Sequence, residues 1–266
     1  MSILTRNALR LCVLIAVAVP AAPAHAITNG APDRAAHPYV GVASSADGFC
    51  SGTLLSPRVF LTAGHCTADF AASGQATFVT FDPNASPSSP YVTGKPYTEP
   101  GFFNAPPQHV GVPASIGHDL GVIVLDQSVD LPAYGSLPAQ GSLDGATGTA
   151  LTLVGYGAQG WLPQPGGRIP TFSFVRTQAQ ATLINDTNAN GGEFVLISTN
   201  SGQDKGGIGP GDSGSPAFLD GTTTVAAVGS HVTNPSGSGT AYWTRLDTSD
   251  ARAFISPFLM SEESQR

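Results

Sequence analysis

Apolar residues in this 266-residue chain fall into short runs separated by turn residues. Gly121-Val-Ile-Val-Leu125, Ala150-Leu-Thr-Leu-Val154, Thr222-Thr-Thr-Val-Ala-Ala-Val228 and Ala241-Tyr-Trp-Thr-Arg245 are each of strand length and rich in β-branched or aromatic residues. Several such runs in series, bounded by Gly, Pro and Ser, predict an all-β barrel or sandwich rather than alternating strands and helices. One segment has a different period. Across Thr248 to Phe258, the residues Ala251, Phe254, Ile255 and Phe258 share one face of a helix, and Thr248 or Ser249 could cap its start. Pro257 leaves the end of that helix open. Ala71 to Gly117 is rich in Pro, Ser, Gly and aromatic residues and reads as a surface insertion.

The N-terminal stretch follows another pattern. Arg6 and Arg10 precede an apolar core from Leu11 to Val19. Pro20 then breaks the run, and Ala24-His25-Ala26 carries small residues at the two positions a signal peptidase reads. Met1 to Ala26 is therefore expected to be a secretory signal peptide, too short to span a bilayer and outside the fold. No other segment is long and apolar enough to cross a membrane. The chain left after Ala26 is expected to be secreted, either extracellular or periplasmic. It is long enough for one large all-β unit or two small ones.

Charge narrows the partners. The formal net charge is −7, and the first 26 residues hold two arginines and no acid, so the remainder carries −9. An acidic surface poor in Lys and Arg excludes nucleic acid and anionic membranes as expected partners. Cys12 leaves with the signal, while Cys50 and Cys66 remain, an even number in a secreted chain. Two cysteines without a nearby histidine pair make a poor zinc site, and no metal or other cofactor is expected. Asn84-Ala-Ser86 and Asn185-Asp-Thr187 match the glycosylation sequon, which matters only in a eukaryotic secretory pathway.

Three blocks carry candidate chemistry. They are Leu61-Thr62-Ala63-Gly64-His65-Cys66, His118-Asp119-Leu120 and Gly211-Asp212-Ser213-Gly214-Ser215-Pro216. A serine hydroxyl is a weak nucleophile at neutral pH and needs a base within hydrogen-bond reach. Histidine suits that task because it titrates near the working pH and can return the proton to the leaving group. A buried carboxylate fixes its tautomer. His65, Asp119 and Ser213 supply these types in the order His, Asp, Ser. The glycines around Ser213 allow backbone N–H groups to aim at a developing oxyanion, and the N–H groups of Gly211 and Ser213 are assigned to that hole.

With these blocks the chain resembles the trypsin/chymotrypsin-type serine proteases from Ile27 to about Leu259. The resemblance implies two six-stranded antiparallel β-barrels, about 27–138 and 139–247, and a C-terminal helix at about 248–260. The break is expected in the Pro/Gly/Ser-rich stretch Leu131 to Gly145. The first barrel would carry His65 and Asp119, the second Ser213. The resemblance also implies a Cys50–Cys66 disulfide, closing a loop that constrains the unfolded chain by roughly 3 kcal/mol. It implies that an α-ammonium on Ile27, freed by cleavage after Ala26, pairs with Asp212 and orders the oxyanion loop. No propeptide is visible between the signal and Ile27, so signal removal alone is expected to yield active enzyme. Rival hydrolases fit worse. Ser215 replaces the last glycine of a Gly-x-Ser-x-Gly elbow, and the chain order suits neither an α/β-hydrolase nor a subtilisin-like enzyme. There is no His-Glu-x-x-His motif.

The resemblance sets the pocket for the residue before the cleaved bond at Gly207, Ile208, Ser230, His231, Thr240 and Tyr242. Gly207 would form its floor, and a floor without charge argues against Lys or Arg specificity. Ile208 and Thr240 could narrow the pocket, with Tyr242 at its back. One alignment makes His231 face the pocket, as in glutamate-specific relatives. Another makes Ser230 the wall serine and turns His231 outward. Family disulfides around the loops Gly206 to Pro210 and Val232 to Thr240 are missing. His37, His109 and His118 are expected to be structural or exposed. The expected function is a secreted serine endopeptidase, monomeric, acting on protein or peptide substrates. The alternatives are an inactive binding module on the same fold and an esterase-like hydrolase on the same site.

Overall fold

The structure is a computed structural model that describes residues 27, 30–46, 48–105, 115–189, 192–198, 206–232 and 239–263. The expected signal segment 1–26, His109 and positions 233–238 of the expected pocket loop Val232 to Thr240 lie outside the described residues. The chain starts with β1 (Ala31–Pro32), β2 (Val40–Ser45), β3 (Gly48–Leu54), β4 (Val59–Thr62), helix α1 (Gly64–Ser73), β5 (Thr77–Thr80), β6 (Val92–Thr98), β7 (Phe103–Ala105), β8 (Ser115–Gly117) and β9 (Gly121–Leu125). It continues with β10 (Ala150–Gly155), β11 (Gly160–Gln164), β12 (Gly167–Thr171), β13 (Thr177–Ala189), β14 (Phe194–Ser198), β15 (Pro216–Leu219), β16 (Val225–Val232), β17 (Thr240–Arg245) and α2 (Ser249–Glu263).

These strands form two closed, six-stranded antiparallel barrels. The first runs β2-β3-β4-β9-β6-β5. The second runs β13-β10-β15-β16-β17-β14 and is closed by pairing of β13 with β14, with β1 added beside β13. The apolar runs bury because each barrel has one interior. Val40, Leu54, Phe60, Leu61 and Ile123 fill the first core, and Leu151, Leu153, Leu183, Ile197 and Trp243 fill the second. Helix α2 lays Ala251 and Ile255 on the first core. The Ala251 N–H donates to Thr248 Oγ1 at 3.2 Å, so Thr248 is the residue that caps it. The helix runs on through Pro257 to Glu263. Among the described residues, no helix is long and apolar enough to cross a membrane.

Three expectations need correction. The stretch 71–117 is not simply a surface insertion, because it contributes β5 and β6 to the first barrel. Its Gly94 and Pro96 masked the strand pattern; both lie on β6, where they pair with Leu125 and Ile123 of β9. The start of the chain does not belong to the first barrel. Ala31 and Pro32 pair with Gln178 and Thr177, and Ile27 is buried in the second core. The apolar run at Thr222 becomes a strand only at Val225, because the Thr222 N–H closes a turn onto the Leu219 carbonyl at 3.0 Å.

Candidate active site

His65 sits in the first turn of α1, where helix N–H groups have no partner within the helix. Asp119, fully buried at the entrance to β9, fills that need. Its Oδ1 accepts the His65 backbone N–H at 2.8 Å, and its Oδ2 lies 2.9 Å from His65 Nδ1. One carboxylate thus caps the helix and orients the ring that the helix carries. Ser230 Oγ donates a third hydrogen bond to Asp119 Oδ2 at 2.5 Å. With Nδ1 engaged, the ring presents Nε2 to the cleft.

The electrostatics follow from this packing. Burial alone would push the His65 pKa down, but the hydrogen bond and charge of Asp119, helped by Asp69, raise it above the ordinary value. Burial would raise Asp119, yet the His65 hydrogen bond and charge, with Ser230, hold it below the ordinary carboxylate range. The pair is therefore poised for a carboxylate beside a histidine that can accept a proton.

The turn carrying Ser213 is locked from both barrels. The Ser51 N–H on β3 donates to the Ser213 carbonyl at 2.9 Å, and Ser51 Oγ donates to the Gly211 carbonyl at 2.9 Å. From the other side the Gly214 N–H donates to the Gly229 carbonyl on β16 at 2.7 Å. Gly211 has a φ of 88°, and a Cβ there would lie 2.3 Å from the Phe49 ring, so only glycine fits. Gly214, at φ 80°, is pressed against Thr62 in the same way. His65 and Ser213 line one cleft of about 500 Å³ with Phe49 and the disulfide. No hydrogen bond joins the two side chains among the described residues.

Cys50 and Cys66 are bonded, tying β3 to the helix that carries His65. Their sulfurs lie near His65 but hold no free thiolate, so this cluster does not fit a metal.

Asp212 is fully buried beneath the turn. The N–H groups of Gly157 and Gly209 donate to its two oxygens at 2.8 and 3.0 Å. Burial pushes its pKa up to about 7, although these two donors pull the other way. Gly155 touches both members of the expected insertion pair: a Cβ built there would lie 2.3 Å from Asp212 Oδ1 and 3.3 Å from Ile27 Cδ1.

Of the expected pocket residues, His231 and Tyr242 are in contact with each other. Gly207 is buried. Ile208 packs into the second core, and Thr240 is half-buried on β17. Ser230 is the residue that reaches Asp119, which favours the alignment making it the wall serine. His231 stacks flat on Tyr242, with ring centroids 4.5 Å apart, and Phe194 packs edge-on against both. Burial lowers the His231 pKa, which disfavours the charged form a glutamate would need. A register shift between Gly229 and His231 pairs Tyr242 with His231 and leaves Trp243 opposite Gly229. His118 has a φ of 52° and turns its ring to Glu99, at 3.4 Å, away from the Asp119 site. His37 Nδ1 bonds Asp33 at 2.5 Å.

Two features had no signal in the sequence. One is Ser51, a single hydroxyl in a buried strand. The other is Arg176, whose buried guanidinium bonds Asp33 and the carbonyls of Val40, Phe81 and Arg34, fastening the start of the chain between the barrels.

The trypsin family model matches residues 27–249. The chain belongs to the trypsin family. It is 27% identical over 215 residues to a cercarial protease of Schistosoma mansoni, covering 77% of this chain and 79% of that protein. Among solved structures, HL collagenase superposes with a TM-score of 0.66 at 16% identity, over 89% of this chain and 99% of that one. A mutant of human heparin binding protein (CAP37) gives 0.64 at 22% identity, over 86% and 94%. These likenesses agree with the two-barrel fold of this trypsin-family chain.

Proposed function

We propose that the chain is a secreted serine endopeptidase in which Ser213 attacks the peptide carbonyl, His65 is the general base and Asp119 holds it. The observation carrying this reading is the Asp119 carboxylate bonded at once to the His65 ring, the His65 backbone and Ser230, in a cleft shared with Ser213. Attack transfers the Ser213 proton to His65 Nε2 and forms a tetrahedral oxyanion, which the N–H groups of Gly211 and Ser213 receive. Collapse expels the leaving amine, protonated by His65, and leaves an acyl-enzyme. Water then repeats the cycle. A membrane-free secreted monomer is part of this reading. A binding module of the kind named by the heparin binding neighbour is disfavoured, because a polyanion needs a basic surface and this chain carries −9 beyond residue 26.

Activity is expected to rise with pH through His65, because only the neutral ring accepts the serine proton. The Asp119 contacts place that limb above the ordinary imidazole value of 6.5. A kcat/KM profile from pH 5 to 9 tests this, and a flat profile would contradict a histidine base. Asp119→Asn should lower kcat at neutral pH by on the order of 10⁴-fold while leaving the fold intact.

The enzyme is not expected to cleave after Lys or Arg. Gly207 puts no carboxylate at the floor position, and an unpaired buried cation costs several kcal/mol. Small or medium apolar residues are the expected preference. A peptide-library profile dominated by Lys or Arg would overturn this pocket assignment and leave the Ser-His-Asp assignment standing.

A further inference from the structure

The backbone carbonyls from Gly209 to Ser213 run through the turn that carries Ser213, and each of them has a donor. Those of Gly209, Pro210, Asp212 and Ser213 accept the backbone N–H groups of Asp212, Ala158, Ser215 and Ser51 at 3.0, 2.8, 2.9 and 2.9 Å. The Gly211 carbonyl differs. It accepts a side chain, the Ser51 hydroxyl, at 2.9 Å. Gly211 also has the least restraint of its own. It is a glycine at φ 88°, and without a Cβ its backbone rotates at little steric cost. What holds it comes from its neighbours.

Ser51 is fully buried in β3, where a hydroxyl is costly unless it is bonded. It is bonded twice. Besides donating to Gly211, its Oγ accepts the Tyr156 N–H at 2.9 Å. Tyr156 precedes Gly157, whose N–H donates to the Asp212 carboxylate at 2.8 Å. One oxygen atom therefore ties together β3, the segment just after β10 and the Ser213 turn. The Ser51 backbone serves the same turn. Its N–H reaches Ser213, and its carbonyl accepts Thr62 Oγ1 at 2.8 Å, the atom pressed against Gly214. Alanine or glycine at this position would keep the backbone bonds. The hydroxyl is the part that can be removed by itself.

We propose that Ser51 is a positioning residue for the oxyanion site: its hydroxyl pins the Gly211 carbonyl and so keeps the Gly211 N–H aimed at the developing charge. The proposal rests on the endopeptidase reading, in which the Gly211 and Ser213 N–H groups receive that charge. Ser51 touches no reacting atom. Without its hydroxyl, the Gly211 carbonyl and the Tyr156 N–H lose a shared buried partner. The flexible Gly211 backbone then turns to find other donors, and its own N–H turns with it. The loss is felt when the substrate oxygen becomes an anion, and little of it when the substrate docks. The His65–Asp119 pair is left as it was.

The test compares Ser51→Ala and Ser51→Gly in the chain freed of its first 26 residues. Ile197→Val, a methylene deletion in the second core, controls for lost stability. Three probes share one peptide with a small apolar residue at its reacting end: a cleavable amide, an aldehyde and an alcohol. The Ser213 hydroxyl adds across the aldehyde C=O to give a tetrahedral hemiacetal whose oxygen occupies the oxyanion site. The alcohol keeps the same side chains and has no carbonyl to attack. Each Ser51 variant should slow single-turnover acylation by about 10- to 100-fold and weaken the aldehyde by the same factor. Alcohol affinity should stay within about twofold, and the pH limb assigned to His65 should not move. Ile197→Val should lower the denaturant midpoint and leave the aldehyde-to-alcohol ratio unchanged. Should Ser51→Ala fail to fold, Ser51→Gly carries the test, since glycine adds no apolar atom beside the two unpaired groups. An unchanged ratio in a folded Ser51 variant overturns the proposal. So does an equal loss for aldehyde and alcohol, or a fall in the ratio for Ile197→Val as well. A wild-type chain that neither cleaves the amide nor favours the aldehyde is a separate result, which removes the endopeptidase reading and this proposal with it.

Discussion

Ser213→Ala and His65→Ala should each lower kcat by on the order of 10⁴-fold or more, and the double variant should be no worse than either alone. The losses overlap because, in the proposed mechanism, the two side chains perform one proton transfer. Without the serine there is nothing for His65 to deprotonate, and without the histidine the Ser213 hydroxyl stays a weak nucleophile. The residual rate should come from the oxyanion donors and from substrate binding, which neither substitution touches. Both side chains are half-buried at the cleft surface, so neither truncation opens a large cavity. The melting temperature should therefore move little while turnover collapses. A fluorophosphonate should label Ser213 alone and fail on Ser213→Ala. Additive losses would mean that the residues act separately, and full activity in Ser213→Ala would remove the assignment.

Much of this site is legible in the sequence because its chemistry restricts residue types at fixed points. Gly211 and Gly214 flank Ser213 because their backbones are left-handed and pressed on Phe49 and Thr62. Asp119 opens a buried run because it must be both desolvated and saturated with donors. The strands β9, β10 and β17 were readable for a simpler reason: their apolar runs face a closed interior. What stayed hidden depends on three-dimensional register. β6 contains Gly94 and Pro96, which spoil its strand pattern, yet both lie opposite apolar residues of β9. The shift between Gly229 and His231 changes which aromatic faces the core, and nothing in the spacing of Tyr242 and Trp243 announces it. Ser51 is buried and reaches across the barrel interface through one hydroxyl, a contact that only the fold creates.

The second large effect concerns Asp212. In the uncleaved chain the only hydrogen-bond donors to its carboxylate among the described residues are the Gly157 and Gly209 N–H groups, and burial holds its pKa near 7 against an ordinary 3.8. A folded-state carboxyl raised in this way binds its proton more tightly than the unfolded chain does. Stability of the uncleaved chain should therefore fall as pH rises from about 4 to about 7, by on the order of 4 kcal/mol, and level off above that. Cleavage after Ala26 is expected to remove this loss. It would free an α-ammonium on Ile27, whose side chain already abuts the same glycine as the Asp212 carboxylate. A counter-charge in this buried site lowers the carboxyl's pKa and abolishes the acid-to-neutral loss of stability. The paired form then holds the turn that aims the Gly211 and Ser213 N–H groups. Retaining one residue before Ile27, or making Asp212→Ala, should cut kcat by about 10²- to 10³-fold, the scale of losing an oxyanion donor. Denaturant midpoints of cleaved and uncleaved chains at pH 4 and pH 7 measure the first effect, and single-turnover acylation rates measure the second. Equal acylation by a chain shown to keep one extra residue before Ile27 would refute the insertion mechanism. A midpoint that does not change with pH in the uncleaved chain would show instead that Asp212 already has a cationic partner.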